Sequence, residues 1–137
     1  MSKSKAVPVV TRHTGTAKEI LVFEHPTAGV QLIKGTIELG EASEAACLRE
    51  LHEESGISNA RIERFLGSWL SHHQDQTWHF YKVEVLQPLQ ESWSHQTAED
   101  HGHVFRLFWH PMHIDPEADW HSVYRSALGY LRHALQK

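Results

Sequence analysis

Apolar and polar positions recur along this chain with two different periods, and those periods divide it into strands and helices. Residues 6–13 and 20–25 are β-branched and apolar and flank Thr14-Gly15-Thr16, which predicts two strands joined by a turn. Pro26-Thr27-Ala28-Gly29 predicts a second turn, and residues 30–33 a short strand. Residues 34–41 hold two glycines and no helical period, so a loop is expected. From Ser43, placed as N-cap, to Ser55 the residues favour helix, among them Ala45, Ala46, Leu48, Leu51 and three glutamates. Gly56 then stands where a glycine ends a helix.

Residues 61–71 and 77–86 are strand-like, the second carrying Trp78, Phe80, Tyr81, Val83 and Val85. Residues 87–102 are polar and predict a loop, and 104–109 a further strand ended by His110-Pro111. The last helix has the clearest pattern. Asp115 is placed as its cap and Pro116 at its first position, after which Trp120, Val123, Tyr124, Ala127, Leu128, Leu131 and Leu135 recur at three- and four-residue steps. Strands and helices interleave irregularly, with hairpin-like strands after the first helix. An α+β fold follows, a mixed sheet covered by helices.

Size and composition narrow the function classes. With 137 residues, one domain over 1–137 is expected. A hydrophobic share of 40% with 22% charged residues is that of a folded chain rather than a disordered one. The net charge of -4 and the lack of a basic stripe argue against a general nucleic-acid binder. Cys47 is the single cysteine, which excludes an internal disulfide. The first residues are too short and too Pro-broken for a signal-peptide core, and no apolar run approaches the ~20 residues of a membrane span. A soluble, cytoplasmic protein is the expectation; the oligomeric state stays open. Histidine is abundant, 13 in all, and the pairs His72-His73, His101-x-His103 and His110-x-x-His113 could bind a transition metal. Without cysteines or a carboxylate framework around them, surface or core roles are favoured.

The first helix carries the chemistry. At ~100° per residue, Glu50, Glu53 and Glu54 fall on one face, beside Cys47, Leu48 and Leu51 on the face that packs. Like charges at i, i+3 and i+4 repel. Arg49 can reach Glu53 but cannot neutralise three carboxylates. Taken alone, Glu-x-x-Glu-Glu is more often a solvated acidic face than a site.

The surrounding residues reverse that judgement. From Gly35 the chain runs Gly-x(5)-Glu41-x(7)-Arg49-Glu50-Leu51-x-Glu53-Glu54-x-Gly56-Ile57, which resembles the Nudix box with every fixed position filled. Chance agreement at average residue usage is on the order of one in 10⁷. The resemblance implies a Nudix-type α/β/α sandwich around a mixed sheet, and a hydrolase acting on a diphosphate bond by water attack on phosphorus. It implies a Mg²⁺ requirement, with Mn²⁺ as an alternative, and metal binding by Glu50, Glu53 and Glu54. Glu41 matches the box glutamate near the metal, and Lys34 the residue that offers a backbone carbonyl. Arg49 matches the arginine that orients a metal-binding glutamate, and Gly35 and Gly56 are expected to be structural. Mg²⁺ prefers near-octahedral oxygen ligands, which such a helix can supply.

The general base is open among Glu50, Glu99 and Asp100. Family substrates are typically nucleoside diphosphates linked to another moiety, so a small phosphorylated nucleotide is the expected partner. No subgroup signature appears; His72-His73-Gln74 occupy the zone where one would lie. Trp69, Trp78, Phe80 and Trp109 could stack a base, although strand aromatics usually pack in cores. A Nudix domain that only binds nucleotide as a sensor, and an RNA 5′-pyrophosphohydrolase, are the rival readings. The intact box acids weigh against the first, and the acidic net charge against the second.

Overall fold

Residues 3–98 and 102–136 are described by the computed structural model. In chain order the elements are β1 (Lys3–Val9), β2 (Thr11–Thr14), β3 (Ala17–His25), β4 (Gly29–Gln31), β5 (Gly35–Thr36), α1 (Ser43–Ser55), β6 (Ala60–Leu70), β7 (Gln76–Val85), β8 (Trp93–Gln96), β9 (Val104–Pro111) and α2 (Ser122–Ala134). One sheet runs β5-β1-β7-β6 and the other β2-β3-β9-β8, with β4 added beside β3. β1 pairs parallel with β7, and the remaining strand pairs are antiparallel, so the architecture is mixed as expected.

Two apolar clusters hold the layers together. Alternation along β1 sends Val7 and Val9 to one cluster and Ala6 to the other. The first cluster lies under α2, where Val123, Tyr124, Ala127, Leu128 and Leu131 meet Trp78 and Phe80. The second lies under α1, where Ala46, Cys47 and Leu51 meet Leu21, Phe23 and Leu107. Helices thus cover opposite sides of the paired sheets, giving the α/β/α sandwich. No helix among the described residues is long and apolar enough to cross a membrane.

Three expectations from the sequence are corrected. The last helix starts at Ser122, with His121 as N-cap accepting from the Val123 N–H at 3.0 Å; Asp115 does not cap it and Pro116 is not its first residue. Tertiary pairing overrides the local signal: Asp119 C=O accepts from Val30 N–H, and Trp120 bridges Val30 in parallel and packs on His110. Asp115 instead faces Arg132. Ser43 is the first residue of α1 and not its cap; Ala42 holds the cap position with no side-chain bond, and the Ser43 hydroxyl meets the Tyr81 hydroxyl. The polar segment 87–102 contains β8. Its Trp93 indole N–H donates to Ser55 C=O at 2.8 Å, fixing a strand that composition had hidden.

Candidate active site

The loop entering α1 and the helix itself form one wall of a cleft of about 410 Å³. Its lining includes Lys5, Gln31, Lys34, Gly35, Thr36, Glu50, Glu53 and Glu54, with Arg49 between the acids. α1 is positioned by burial of Cys47 and Leu51, and ended by Gly56, whose φ of 81° and N–H to His52 C=O at 2.8 Å make the left-handed stop expected from sequence.

Arg49 organises the acids. Its Nε and Nη2 clamp both oxygens of Glu41 at 2.8 and 2.9 Å, and its Nη1 donates to Glu50 Oε1 at 2.7 Å. The same Nη1 approaches Glu53 at 3.3 Å, and Nη2 also reaches Thr36 C=O at 2.9 Å. The guanidinium therefore touches three carboxylates, where i,i+4 spacing alone suggests only Glu53. Glu54 is held differently: its Oε1 accepts the Lys34 backbone N–H at 3.1 Å. The Arg49 bidentate bond, with the Glu38 N–H, lowers the Glu41 carboxyl to about 2.

Gly35 has a sharper role than loop formation. A Cβ placed there would land on the Glu50 carboxyl group, so this position must be bare for Glu50 to occupy its place against β5. Gly35→Ala is expected to displace that carboxylate and lower turnover about tenfold or more. Turnover near wild type, in a variant that melts normally, would remove Glu50 from the site.

Sequence reasoning missed several cleft residues. Lys5 on β1 pairs across to Thr36, its Nζ donating to Thr36 Oγ1 at 2.7 Å. Burial and Lys3 hold its ammonium below the usual lysine range, against the pull of Glu50, Glu38 and Glu54. His25, Gln31, Thr97 and Phe105 also line the cleft. Each comes from a strand or strand end outside the box. Only the β1 alternation, which turns Lys5 away from the face carrying Ala6, offered a signal.

The aromatic candidates are corrected. Trp78 and Phe80 are fully buried in the core under α2 and present no open face for a base. Trp69 packs edge-on to Trp78 at 5.3 Å and beside Tyr130, away from the cleft lining. Trp109 carries the Arg12 guanidinium at 4.4 Å in a separate groove. Glu99 and Asp100 lie outside the described residues, as does His101. His110 is buried against Trp120, its Nε2 on Ile114 C=O at 2.9 Å, and is not available as a metal ligand.

Oxygen donors dominate the acidic wall, and that set suits a hard divalent cation rather than a soft one. Among the described residues, no three His, Cys, Asp or Glu side chains converge at metal-ligand spacing. Arg49 stands among the acids that would have to turn toward an ion. In donor chemistry, Glu50, Glu53 and Glu54 fit Mg²⁺, with Lys34 C=O and Glu41 at the margin.

Comparison with solved structures places the whole architecture. A UDP-X diphosphatase aligns over 99% of this chain and 64% of its own, at 15% identity and TM-score 0.74. This chain thus spans less than two thirds of that protein. The C. elegans Ap4A hydrolase aligns over 98% of this chain and 99% of its own, at 17% identity and TM-score 0.67. An ADP-ribose pyrophosphatase from Streptococcus suis aligns over 97% and 92%, at 13% identity and TM-score 0.63. At such identities the likeness is one of fold. No curated protein matches the sequence. The NUDIX domain family matches residues 3–127, nearly the whole length. The chain belongs to the Nudix family.

Proposed function

We propose that this chain is a divalent-metal-dependent pyrophosphohydrolase, cleaving a diphosphate bond in a nucleotide by attack of water on phosphorus. The observation that carries the reading is the Arg49-centred set of box carboxylates on one wall of an open cleft whose lining also includes Lys5 and Lys34. Solved structures of similar fold include a UDP-X diphosphatase, an Ap4A hydrolase and an ADP-ribose pyrophosphatase, which supports a nucleotide-containing substrate.

Glu50, Glu53 and Glu54 would hold Mg²⁺, with Glu41 and the Lys34 carbonyl assisting. When bound, the ion supplies Lewis-acid polarisation of the phosphoryl oxygens and neutralises charge on the leaving phosphate. Arg49 orients Glu50 and Glu53 and keeps Glu41 ionised. Lys5 and Lys34 offset the acidic wall and attract the phosphates. Glu50, held at Oε1 by Arg49, would accept the proton of the attacking water, with Glu99 and Asp100 the other candidates for that proton.

The test is a panel of nucleoside diphosphate derivatives and nucleoside triphosphates with Mg²⁺ or Mn²⁺, reading the nucleoside mono- or diphosphate formed. Saturable nucleotide binding with no turnover on any member would favour the sensor reading. In parallel, Mg²⁺ is expected to raise the melting temperature, since the ion binds the assembled acids and not the unfolded chain. At a hundredfold excess over Kd the gain is about 2.7 kcal/mol, or roughly 10 °C for a chain of this size. The Glu50→Gln/Glu53→Gln/Glu54→Gln variant is expected to lose the shift. A shift that survives there, specific to Zn²⁺ or Ni²⁺, would point to the histidines instead.

A further inference from the structure

The last turn of α1 carries Glu53 and Glu54, and two of its carbonyls lose their partners within the helix. In a continuing helix, Glu53 C=O would accept from Ile57 N–H and Ser55 C=O from Asn59 N–H. Both donors are turned elsewhere: Ile57 N–H goes to Ser55 Oγ at 3.2 Å, and Asn59 N–H to Gln87 Oε1 at 2.9 Å. Two side chains of β8 take their places. Trp93 Nε1–H donates to Ser55 C=O at 2.8 Å, and His95 Nε2 meets Glu53 C=O at 3.0 Å. A carbonyl only accepts, so this imidazole nitrogen carries the hydrogen.

β8 can hold a helix because it is itself held. It pairs antiparallel with β9, Trp93 opposite Leu107 and His95 opposite Phe105, both of them buried. Strand alternation sends Trp93 and His95 to the half-buried side and Ser94 and Gln96 to solvent. The segment leading into it is tied down at three points. Gln87 Oε1 accepts from the N–H groups of Ser58 and Asn59, Gln90 C=O accepts from the Trp109 indole, and Glu91 takes Arg12 with both oxygens. Gly56 completes the fit. A Cβ there would lie 3.0 Å from His95 Nδ1 and 3.2 Å from Cε1, so any side chain would press the imidazole away from the helix end.

We propose that Trp93 and His95 are positioning residues for the metal-binding acids: they fix the last turn of α1 and so set where the Glu53 and Glu54 carboxylates stand. Arg49 and the Lys34 N–H hold those two side chains at their carboxylates, while β8 holds the backbone they grow from. Neither Trp93 nor His95 lines the cleft, so both act through the helix. Helix ends fray first, whereas ligands must stay within about 0.5 Å of their working geometry. Support at the final carbonyls therefore acts where the acids need it. As ligand positioning, this role rests on the pyrophosphohydrolase reading.

The Lys34 amide reports the place of Glu54 with no metal present, because its N–H is bonded to Glu54 Oε1. In the metal-free full chain, Trp93→Phe, which removes the indole N–H and keeps a ring, is expected to shift the Lys34 amide signal in NMR. His95→Leu is expected to do the same, while the amides of Ala127 and Leu128 in α2 stay put. Mn²⁺ affinity, read by electron paramagnetic resonance, should fall about tenfold in both variants, as it does when groups behind metal ligands are lost. His95→Gln, whose amide can donate where Nε2 does, should recover most of that loss. A lower melting temperature with an unmoved Lys34 amide and wild-type Mn²⁺ affinity makes β8 a structural strand only and overturns the positioning role. A His95→Gln variant no better than His95→Leu overturns the part given to the His95 N–H. Should the wild type bind no Mn²⁺, or Glu53→Gln and Glu54→Gln bind it equally well, the metal reading fails. The Lys34 amide then decides alone whether β8 sets the place of Glu54.

Discussion

Glu54→Gln is expected to lower turnover about 10³-fold while the fold survives, and Glu53→Gln to do the same. Lewis-acid assistance is worth several kcal/mol of charge stabilisation, and each 1.36 kcal/mol is about tenfold in rate. An amide retains the shape of the carboxylate but not its charge, so the loss falls on metal binding. The structural cost is small for different reasons at the two sites. In the Glu54→Gln variant the amide oxygen remains as an acceptor for the Lys34 N–H that Glu54 Oε1 now takes at 3.1 Å. At position 53 the partner is Arg49 at 3.3 Å, a part-exposed pair whose contribution is about 0–1 kcal/mol. Neutralising one of three acids at i, i+3 and i+4 also removes repulsion within α1. Turnover and the melting curve should be measured on the same preparation at saturating Mg²⁺. Near wild-type turnover in either variant would refute its role as a ligand.

The box was legible because its chemistry is local. Glu50, Glu53 and Glu54 share a helix face whatever the rest of the chain does, and Gly56 stops the helix by a backbone conformation that glycine favours. The mixed sheet between two helices was also readable, since Val7, Val9 and the α2 stripe follow strand and helix periods. What escaped depended on pairing across the fold. Asp115-Pro116 is a good local start for a helix, yet Asp119 and Trp120 bind β4 and delay it to Ser122. Residues 93–96 look like loop until Trp93 finds Ser55 C=O. Trp78 and Phe80 have the composition of a stacking surface, and only the packing of α2 over them reveals a core.

Arg49→Ala is expected to lower turnover about 10²-fold, as loss of a residue that orients metal ligands does. It should also remove part of the site's response to acid. In the wild type, Arg49 depresses the Glu41 carboxyl from 4.5 to about 2. A group depressed on folding contributes stability above its unfolded pKa and loses it as pH falls through the folded one. The Glu41 contribution therefore fades from pH 4.5 down to about 2. Without the guanidinium, Glu41, Glu50 and Glu53 face one another as like charges, and Glu41 loses the contact that depresses its carboxyl. The variant therefore lacks the Glu41 contribution at neutral pH and has none to lose in acid. The gap in melting temperature between wild type and Arg49→Ala is widest above pH 4.5 and shrinks as pH falls toward about 2. Mg²⁺ should narrow it at neutral pH, because the cation replaces part of the charge that Arg49 supplied. A gap that stays constant over this range, with or without Mg²⁺, would mean that Arg49 stabilises the loop by geometry alone, through Thr36 C=O, and not by compensating the acids.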